Sequence, residues 1–192
     1  MPRPLSTGLY GKLPARGDFV RLGLARSFTD PWDRWLQAVI GGSRQLMGEA
    51  WLPAWMEAPV WCFAVPAGLC GPHPVLGVML PSVDKSGRCF PLTFAAVLPA
   101  GSHAEDAGWL SRCEAAGRTA LEHDELPKRL ADGLGVPSLL EGAAAPDRSV
   151  WWTEGAPRVP ASRFARPGLP DPAAYAGMLD VSFLDAFPAE AR

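Results

Sequence analysis

The amino-acid sequence predicts an α/β fold, a three-layer α/β/α domain around a mixed, partly antiparallel sheet. Apolar runs typical of buried strands occur at residues 60–65, 75–80 and 88–98. Helical patterns lie between and after these runs, and this interleaving favours helices packed on a sheet. A chain of 192 residues buries enough surface to fold without a metal or a disulfide. We therefore expect residues 1–192 to form one domain.

The N-terminal part of the chain predicts a strand, a loop and a long helix. Residues 6–13 have the composition of a strand, and residues 14–23 that of an irregular loop. Asp30 and Pro31 predict that the helix begins there, because Asp caps helices and Pro suits the first helical position. Apolar residues then recur at spacings of three and four, which predicts one buried face as far as Met47. The members of this face are Trp32, Trp35, Leu36, Val39 and Ile40.

The rest of the chain predicts a hairpin followed mainly by helices. The tetrapeptide DKSG has turn composition, so the runs at 75–80 and 88–98 are expected to pair as antiparallel strands. Pro91 indicates a sheet edge or a strand end within the second run. The remaining predicted elements are helices at 52–57, 104–123 and 125–134, a strand at 149–153, and a helix opened by Asp171 and Pro172.

Composition and charge exclude several classes of function. A net charge of −2 argues against a protein that binds nucleic acid or a membrane surface through bulk positive charge. The four cysteines form no C-x-x-C pair and the three histidines lie far apart in sequence, so no metal site and no cofactor are predicted. The sequence shows no signal peptide and no apolar run long enough to span a bilayer. We therefore expect a cytoplasmic protein.

No combination of residues in the sequence has the pattern of a catalytic site. Ser82 and Asp84 lie near His73 in sequence, but no serine stands in a G-x-S-x-G motif, and glycine-rich phosphate loops are missing. Capping of a turn explains Ser82 and Asp84 better than a Ser-His-Asp site. The prediction is a protein without enzymatic activity. The alternative is a hydrolase-like enzyme that uses the loop of Asp84 and Arg88 for phosphoester or peptide chemistry.

Two charged loops carry the candidate protein-binding residues. The segments KLPARGD and SVDKSGR each place both signs of charge beside a predicted strand, and loops on a rigid sheet commonly carry function. The candidate residues are Arg16, Asp18, Asp84 and Arg88. If both loops leave the sheet at one end, these residues form one cluster, which either contacts a partner or pairs internally and locks the loops. The alternative contact surface is the tryptophan-rich segment with Trp51 and Trp55.

Six segments, taken in order, resemble those of a known family. They are GLYGKLPARGDFVR, FTDPWDRWLQ, APVWCFAV, LPSVDKSGRCFPLT, SVWWTEG and GLPDPAAYAGMLD. Their order and spacing resemble the TagF family, accessory proteins of the bacterial type VI secretion system. The resemblance runs from about residue 8 to residue 180 and is weakest over residues 101–148. The residues that match the family pattern are Lys12, Pro14, Gly17, Asp18, Phe19, Asp30, Trp32, Ser82, Asp84, Gly87, Arg88 and Pro91.

This resemblance implies an α/β/α domain without known catalytic activity. It further implies a post-translational repressor of type VI secretion, which binds the forkhead-associated scaffold protein of the system and restrains its assembly. A structural component of the secretion apparatus is the alternative class. Some relatives are fused to a PP2C-type phosphatase domain, and we expect any such phosphatase to be a separate protein here. No catalytic role carries over to any matching residue.

Overall fold

The computed structural model describes residues 3–123, 126–140 and 147–186. Its strands are β1 (Ser6–Gly11), β2 (Val20–Leu22), β3 (Trp61–Val65), β4 (Val75–Leu80), β5 (Leu92–Val97), β6 (Ser149–Thr153) and β7 (Ser162–Arg166). Its helices are α1 (Arg26–Met47), α2 (Trp51–Met56), α3 (Ala107–Glu122), α4 (Pro127–Gly133) and α5 (Pro172–Leu179), with short 3-10 helices at Gly48–Ala50 and Val181–Ala186. The predicted helix start at Glu125 lies outside the described residues. Among the described residues, no helix is both long and apolar enough to cross a bilayer.

The seven strands form one sheet with the order β2-β1-β5-β4-β3-β6-β7. Every pairing between neighbouring strands of this described sheet is antiparallel. The α/β class is therefore confirmed, but the prediction of a mixed sheet is wrong. Parallel pairs arise when a helical crossover joins neighbouring strands. Here the helical connections join β2 to β3 and β5 to β6, and in both cases other strands lie between the two.

The predicted hairpin forms the centre of the sheet. β4 pairs with β5 from Val75 opposite Val97 to Leu80 opposite Leu92, and every residue of both strands is buried. Burial on both faces is the reason why these two segments are continuously apolar in sequence. Pro91 directly precedes β5, so it marks a strand end, as predicted.

The long helix starts earlier than the sequence predicts. Asp30 and Pro31 lie inside α1, which begins at Arg26. Phe28 is buried one turn before Trp32, and the two ring centroids are 5.5 Å apart. This packing extends the helix by a turn, although Pro31 lacks the N–H of one intrahelical hydrogen bond. The predicted apolar face is confirmed, since four of its members are buried and Trp35 packs against them.

The sequence pattern predicts neither of the two edge strands. β2 has three residues, lies within the predicted loop, and pairs with β1. β7 has the sequence SRFAR and is mostly exposed. Neither strand shows the apolar pattern of a buried strand, because an edge strand has few neighbours to pack against. The sheet context, rather than the local sequence, holds them extended.

The sheet separates two hydrophobic clusters. In β4, Val75 and Met79 belong to one cluster, while Leu76, Val78 and Leu80 belong to the other. The first cluster, here called the tryptophan face, contains residues of α1, α2 and α5 together with most of the tryptophans. The second contains residues of α3 and α4. This distribution favours the predicted α/β/α layering.

Candidate functional site: two loops at one end of the sheet

The sheet register brings the two candidate loops to the same end. Tyr10 near the end of β1 pairs with Thr93 near the start of β5, and Leu80 at the end of β4 pairs with Leu92. The loop after β1 and the turn between β4 and β5 therefore leave the sheet side by side, as expected. Gly11 makes the exit from β1 with a φ of 138°, and a side chain there would collide with the Pro91 carbonyl oxygen.

Asp84 is the centre of the contacts between the loops. Its Oδ2 atom accepts hydrogen bonds from Lys12 Nζ at 2.8 Å and from Arg88 Nε at 2.6 Å. Its Oδ1 atom accepts from the backbone N–H groups of Ser86 at 2.8 Å and Arg88 at 2.9 Å. The carboxylate side chain is fully buried. Asp84 thus shapes its own turn and also ties that turn to the β1 loop.

The buried pair of Lys12 and Asp84 fixes the charge state of the carboxylate. The hydrogen bond from Lys12 is the main cause that holds the pKa of Asp84 well below its usual range. Burial opposes this lowering of the pKa, whereas the Arg88 and Ser86 donors assist it. Lys12 is itself buried, so each charge supplies the partner that the other needs away from water. We call the network of Lys12, Asp84 and Arg88 the clasp.

Arg88 provides the second connection between the loops. Its Nη2 atom donates a hydrogen bond to the Gly17 carbonyl oxygen at 2.8 Å, while 62% of its side chain remains exposed. The Lys85 backbone N–H donates to the Arg16 carbonyl oxygen at 3.0 Å. Asp18 lies exposed in the loop after β1. Within the described ranges no ion pair joins Asp18 to the clasp. The loops that carry the four candidates are therefore adjacent, and two of the four, Asp84 and Arg88, are directly bonded.

The sequence alone does not identify Lys12 as the partner of Asp84. The available signal is its position, since Lys12 directly follows a strand with an apolar interior. The segment with Trp51 and Trp55 is the alternative contact surface that the sequence suggests, but both side chains are only 1% exposed. They stack at 5.1 Å between ring centroids inside the core. The two indole side chains therefore do not form an exposed contact surface, because α2 turns them into the core.

The geometry gives no support to a Ser-His-Asp site. Ser82 and His73 flank opposite ends of β4, a strand of six residues, which separates them by roughly 20 Å at about 3.3 Å per residue. The Ser82 hydroxyl donates to the Lys12 carbonyl oxygen at 2.8 Å. The hydrogen bonds that Asp84 accepts come from Lys12, Ser86 and Arg88 rather than from a histidine. Ser82 and Asp84 shape the loops.

The cysteine thiols lack the environment of a reactive nucleophile. Burial raises the pKa of the Cys62, Cys70 and Cys113 thiols to about 12. Burial also raises the pKa of Cys89. These thiols are protonated at neutral pH, whereas a nucleophilic cysteine needs a lowered pKa. Among the described residues, no group of three or more His, Cys, Asp or Glu side chains is placed to hold a metal.

The fold and the loops define a small α/β domain with an ordered, charged loop surface at one sheet end. Comparisons with known proteins identify the family of this domain. The chain belongs to the TagF_N family, described as the TagF N-terminal domain, type VI secretion system-associated, whose profile matches residues 8–135. The match includes both loops and the whole clasp.

A solved structure extends the match beyond the family profile. The crystal structure of PA0076 from Pseudomonas aeruginosa PAO1 is 33% identical to the chain and has a TM-score of 0.82. The alignment covers 92% of this chain and 94% of the PA0076 chain. No curated protein matches the chain at a significant level. Because this coverage exceeds that of the profile, the similarity to PA0076 continues past residue 135.

Proposed function

We propose that this chain is a non-enzymatic accessory protein of the type VI secretion system that represses assembly of the apparatus post-translationally. In this proposal it acts in the cytoplasm and binds the forkhead-associated scaffold protein of the system. The observation that carries the proposal is the TagF_N match over residues 8–135, which includes the clasp. A separate PP2C-type phosphatase is a second proposed partner.

The geometry of the loops supports a role in binding. Hydrogen bonds among Lys12, Asp84 and Arg88 hold both loops before a partner arrives. A surface ordered in advance loses less conformational entropy when it binds, so more of the contact energy appears as affinity. The buried thiols and the internal bonding of Ser82 favour binding over catalysis as the role of this end of the sheet.

The four candidate residues have different roles in this proposal. Arg16, Asp18 and Arg88 face the partner, and Arg88 is suited to a carboxylate because its guanidinium group donates in a fixed planar geometry. Asp84 is buried and positions Arg88 rather than touching the partner. The partner therefore recognises the loop surface, and Asp84 sets the shape of that surface.

The test of repression is made in the native cell. We expect deletion of the gene to raise the secretion of the tube protein and overproduction of the chain to lower it, with cellular levels of the tube protein as the control. Unchanged secretion in both strains would show that the protein is not a repressor. Affinity purification distinguishes a repressor from a structural component of the apparatus. A repressor is recovered with unassembled scaffold protein, whereas a structural component is recovered with the assembled apparatus.

A further inference from the structure

An apolar cavity lies beside the two loops. It has a volume of about 180 Å³ and is open to solvent. Its lining includes Pro14, Trp55, Met56, Val83 and Leu121, and we call it the anchor cavity. Pro14 belongs to the first loop, and Val83 directly precedes Asp84 of the clasp. The cavity is therefore continuous with the candidate binding loops.

The short helix α2 presents an apolar surface next to this cavity. Met56 is 66% exposed and Leu52 is 54% exposed. The two side chains are four residues apart, so they lie on the same side of the helix. Their neighbours Trp51 and Trp55 fill the core instead. Grouped large apolar side chains in water are typical of a surface that contacts another protein.

Three cationic side chains belong to elements that adjoin the apolar area. Arg44, Lys85 and Arg88 are all exposed. Arg44 lies over the Trp51 ring at 4.2 Å, and Trp51 stacks on Trp55 of the cavity lining. Lys85 and Arg88 belong to the turn that follows Val83, and their only acidic neighbour within that turn, Asp84, is neutralised inside the clasp.

The charge of this rim differs from that of the whole chain. The chain carries a net charge of −2. Beside the cavity, the three cations Arg44, Lys85 and Arg88 outnumber the exposed Glu122 that follows Leu121, and Glu57, which follows Met56, is paired with Arg158. A positive rim attracts acidic groups and repels basic ones, which selects among partners and their orientations. Apolar surface enclosed by a charged rim is also the arrangement of specific protein interfaces.

We propose that the anchor cavity binds an acidic segment of a protein partner, which inserts one apolar side chain beside Met56 while its carboxylates contact Lys85, Arg88 and Arg44. This inference rests on the proposed function, because it assigns a surface and a partner chemistry to the same loop end. The inserted side chain supplies affinity through burial of apolar area. The carboxylates supply orientation and selectivity.

The experiment measures binding of the purified forkhead-associated scaffold protein to the wild-type chain and to four variants. Met56→Glu and Lys85→Glu alter the proposed site. Leu5→Glu and Lys128→Glu are matched controls, because Leu5 is 56% exposed at the opposite end of β1 and the Lys128 side chain is 80% exposed on α4. All four changes are at exposed positions, so melting temperatures should stay within about 2 °C of wild type.

A second probe decides the inference if the scaffold protein does not bind. It is a synthetic peptide of Asp and Glu residues with one central Leu, compared with peptides in which Lys replaces the acidic residues or Ser replaces the Leu. The chain has five methionines, so methyl-labelled methionine NMR follows the site. Met56→Leu assigns the Met56 signal, and Met178, which is fully buried, serves as the internal reference.

Each outcome decides the inference. At least a tenfold loss of scaffold binding in Met56→Glu and Lys85→Glu, with both controls unchanged, supports it. Equal binding by all five proteins overturns it and leaves the proposed function standing. If the scaffold protein does not bind the wild-type chain, the proposed partner is wrong. In that case a shift of the Met56 signal with the acidic Leu peptide alone supports the inference, and an unshifted signal overturns it.

Discussion

The tryptophan face and the loop end of the sheet are held together by different forces. On the tryptophan face, six indole N–H groups donate hydrogen bonds to neutral acceptors, such as Trp32 to Thr93 Oγ1 at 3.1 Å. At the loop end, a buried ion pair of Lys12 with Asp84 has the central place. The tryptophan face is closed to solvent around Trp32 and Trp151, whereas the loop end exposes Arg88.

This difference indicates a division between stability and recognition. Burial of apolar surface, to which large aromatic side chains contribute strongly, is the dominant favourable term in folding and depends little on pH. A buried ion pair adds less net stability, but it fixes one arrangement of the loops and its contribution depends on protonation. The tryptophan face therefore supports the sheet, and the clasp determines the surface that the sheet presents.

The largest expected effect is on the tryptophan face. Trp32 is fully buried, and its ring centroid lies 4.6 Å from that of Phe63. We expect Trp32→Ala to lower the free energy of unfolding by about 3–5 kcal/mol, which is typical for loss of a buried large aromatic. Denaturant unfolding measures the change. Trp152→Ala is the matched control, because Trp152 is only half-buried. An equal loss of stability in both variants would contradict the assignment of Trp32 to the stabilising core.

A smaller effect is expected at the clasp. Lys12→Met removes the charge that Asp84 requires while it keeps most of the side-chain volume, so a buried carboxylate loses its main partner. We expect the melting temperature to fall by at least about 5 °C. Lys128→Met is the control, because Lys128 pairs with Asp132 on the surface and exposed pairs add little stability. A melting temperature equal to wild type would show that the clasp adds no stability.

The pH dependence of stability distinguishes the two regions further. The pKa of Asp84 is lowered in the folded state, so its stabilising contribution is complete above the unfolded pKa, about 3.9, and is lost as pH falls through the folded pKa. We expect the difference in melting temperature between wild type and Lys12→Met to stay constant from pH 8 to about 5 and to shrink below about pH 4. The difference for Trp32→Ala should not shrink in this way. If the melting-temperature difference between wild type and Lys12→Met grew on acidification, the result would contradict the lowered pKa of Asp84.

The sequence predicts the interior of the molecule better than its edges and its loops. The buried strands β4 and β5 have continuous apolar sequences, so their position and pairing follow from composition and the intervening turn. The start of α1 does not follow from the local Asp30-Pro31 signal, because packing of Phe28 on Trp32 overrides it. The edge strand β7 is extended through its pairing with β6, and pairing over a distance leaves no local pattern.

The candidate site shows the same limit. The sequence places charges of both signs on two loops and predicts that the loops meet at one end of the sheet. It does not distinguish the buried carboxylate of Asp84 from the exposed one of Asp18. That distinction depends on Lys12, which is 72 positions away from Asp84 in sequence.

The most direct test of the central claim, that the loop end binds the secretion scaffold, is the affinity of the purified scaffold protein for Arg88→Ala. Arg118→Ala is the matched control, because Arg118 is 61% exposed and pairs with Glu114 on α3. We expect Arg88→Ala to bind at least about tenfold more weakly, equivalent to about 1.4 kcal/mol, with a melting temperature within about 4 °C of wild type. Arg118→Ala should bind like wild type. Equal affinity for all three proteins, or no binding by the wild-type chain, would contradict the claim.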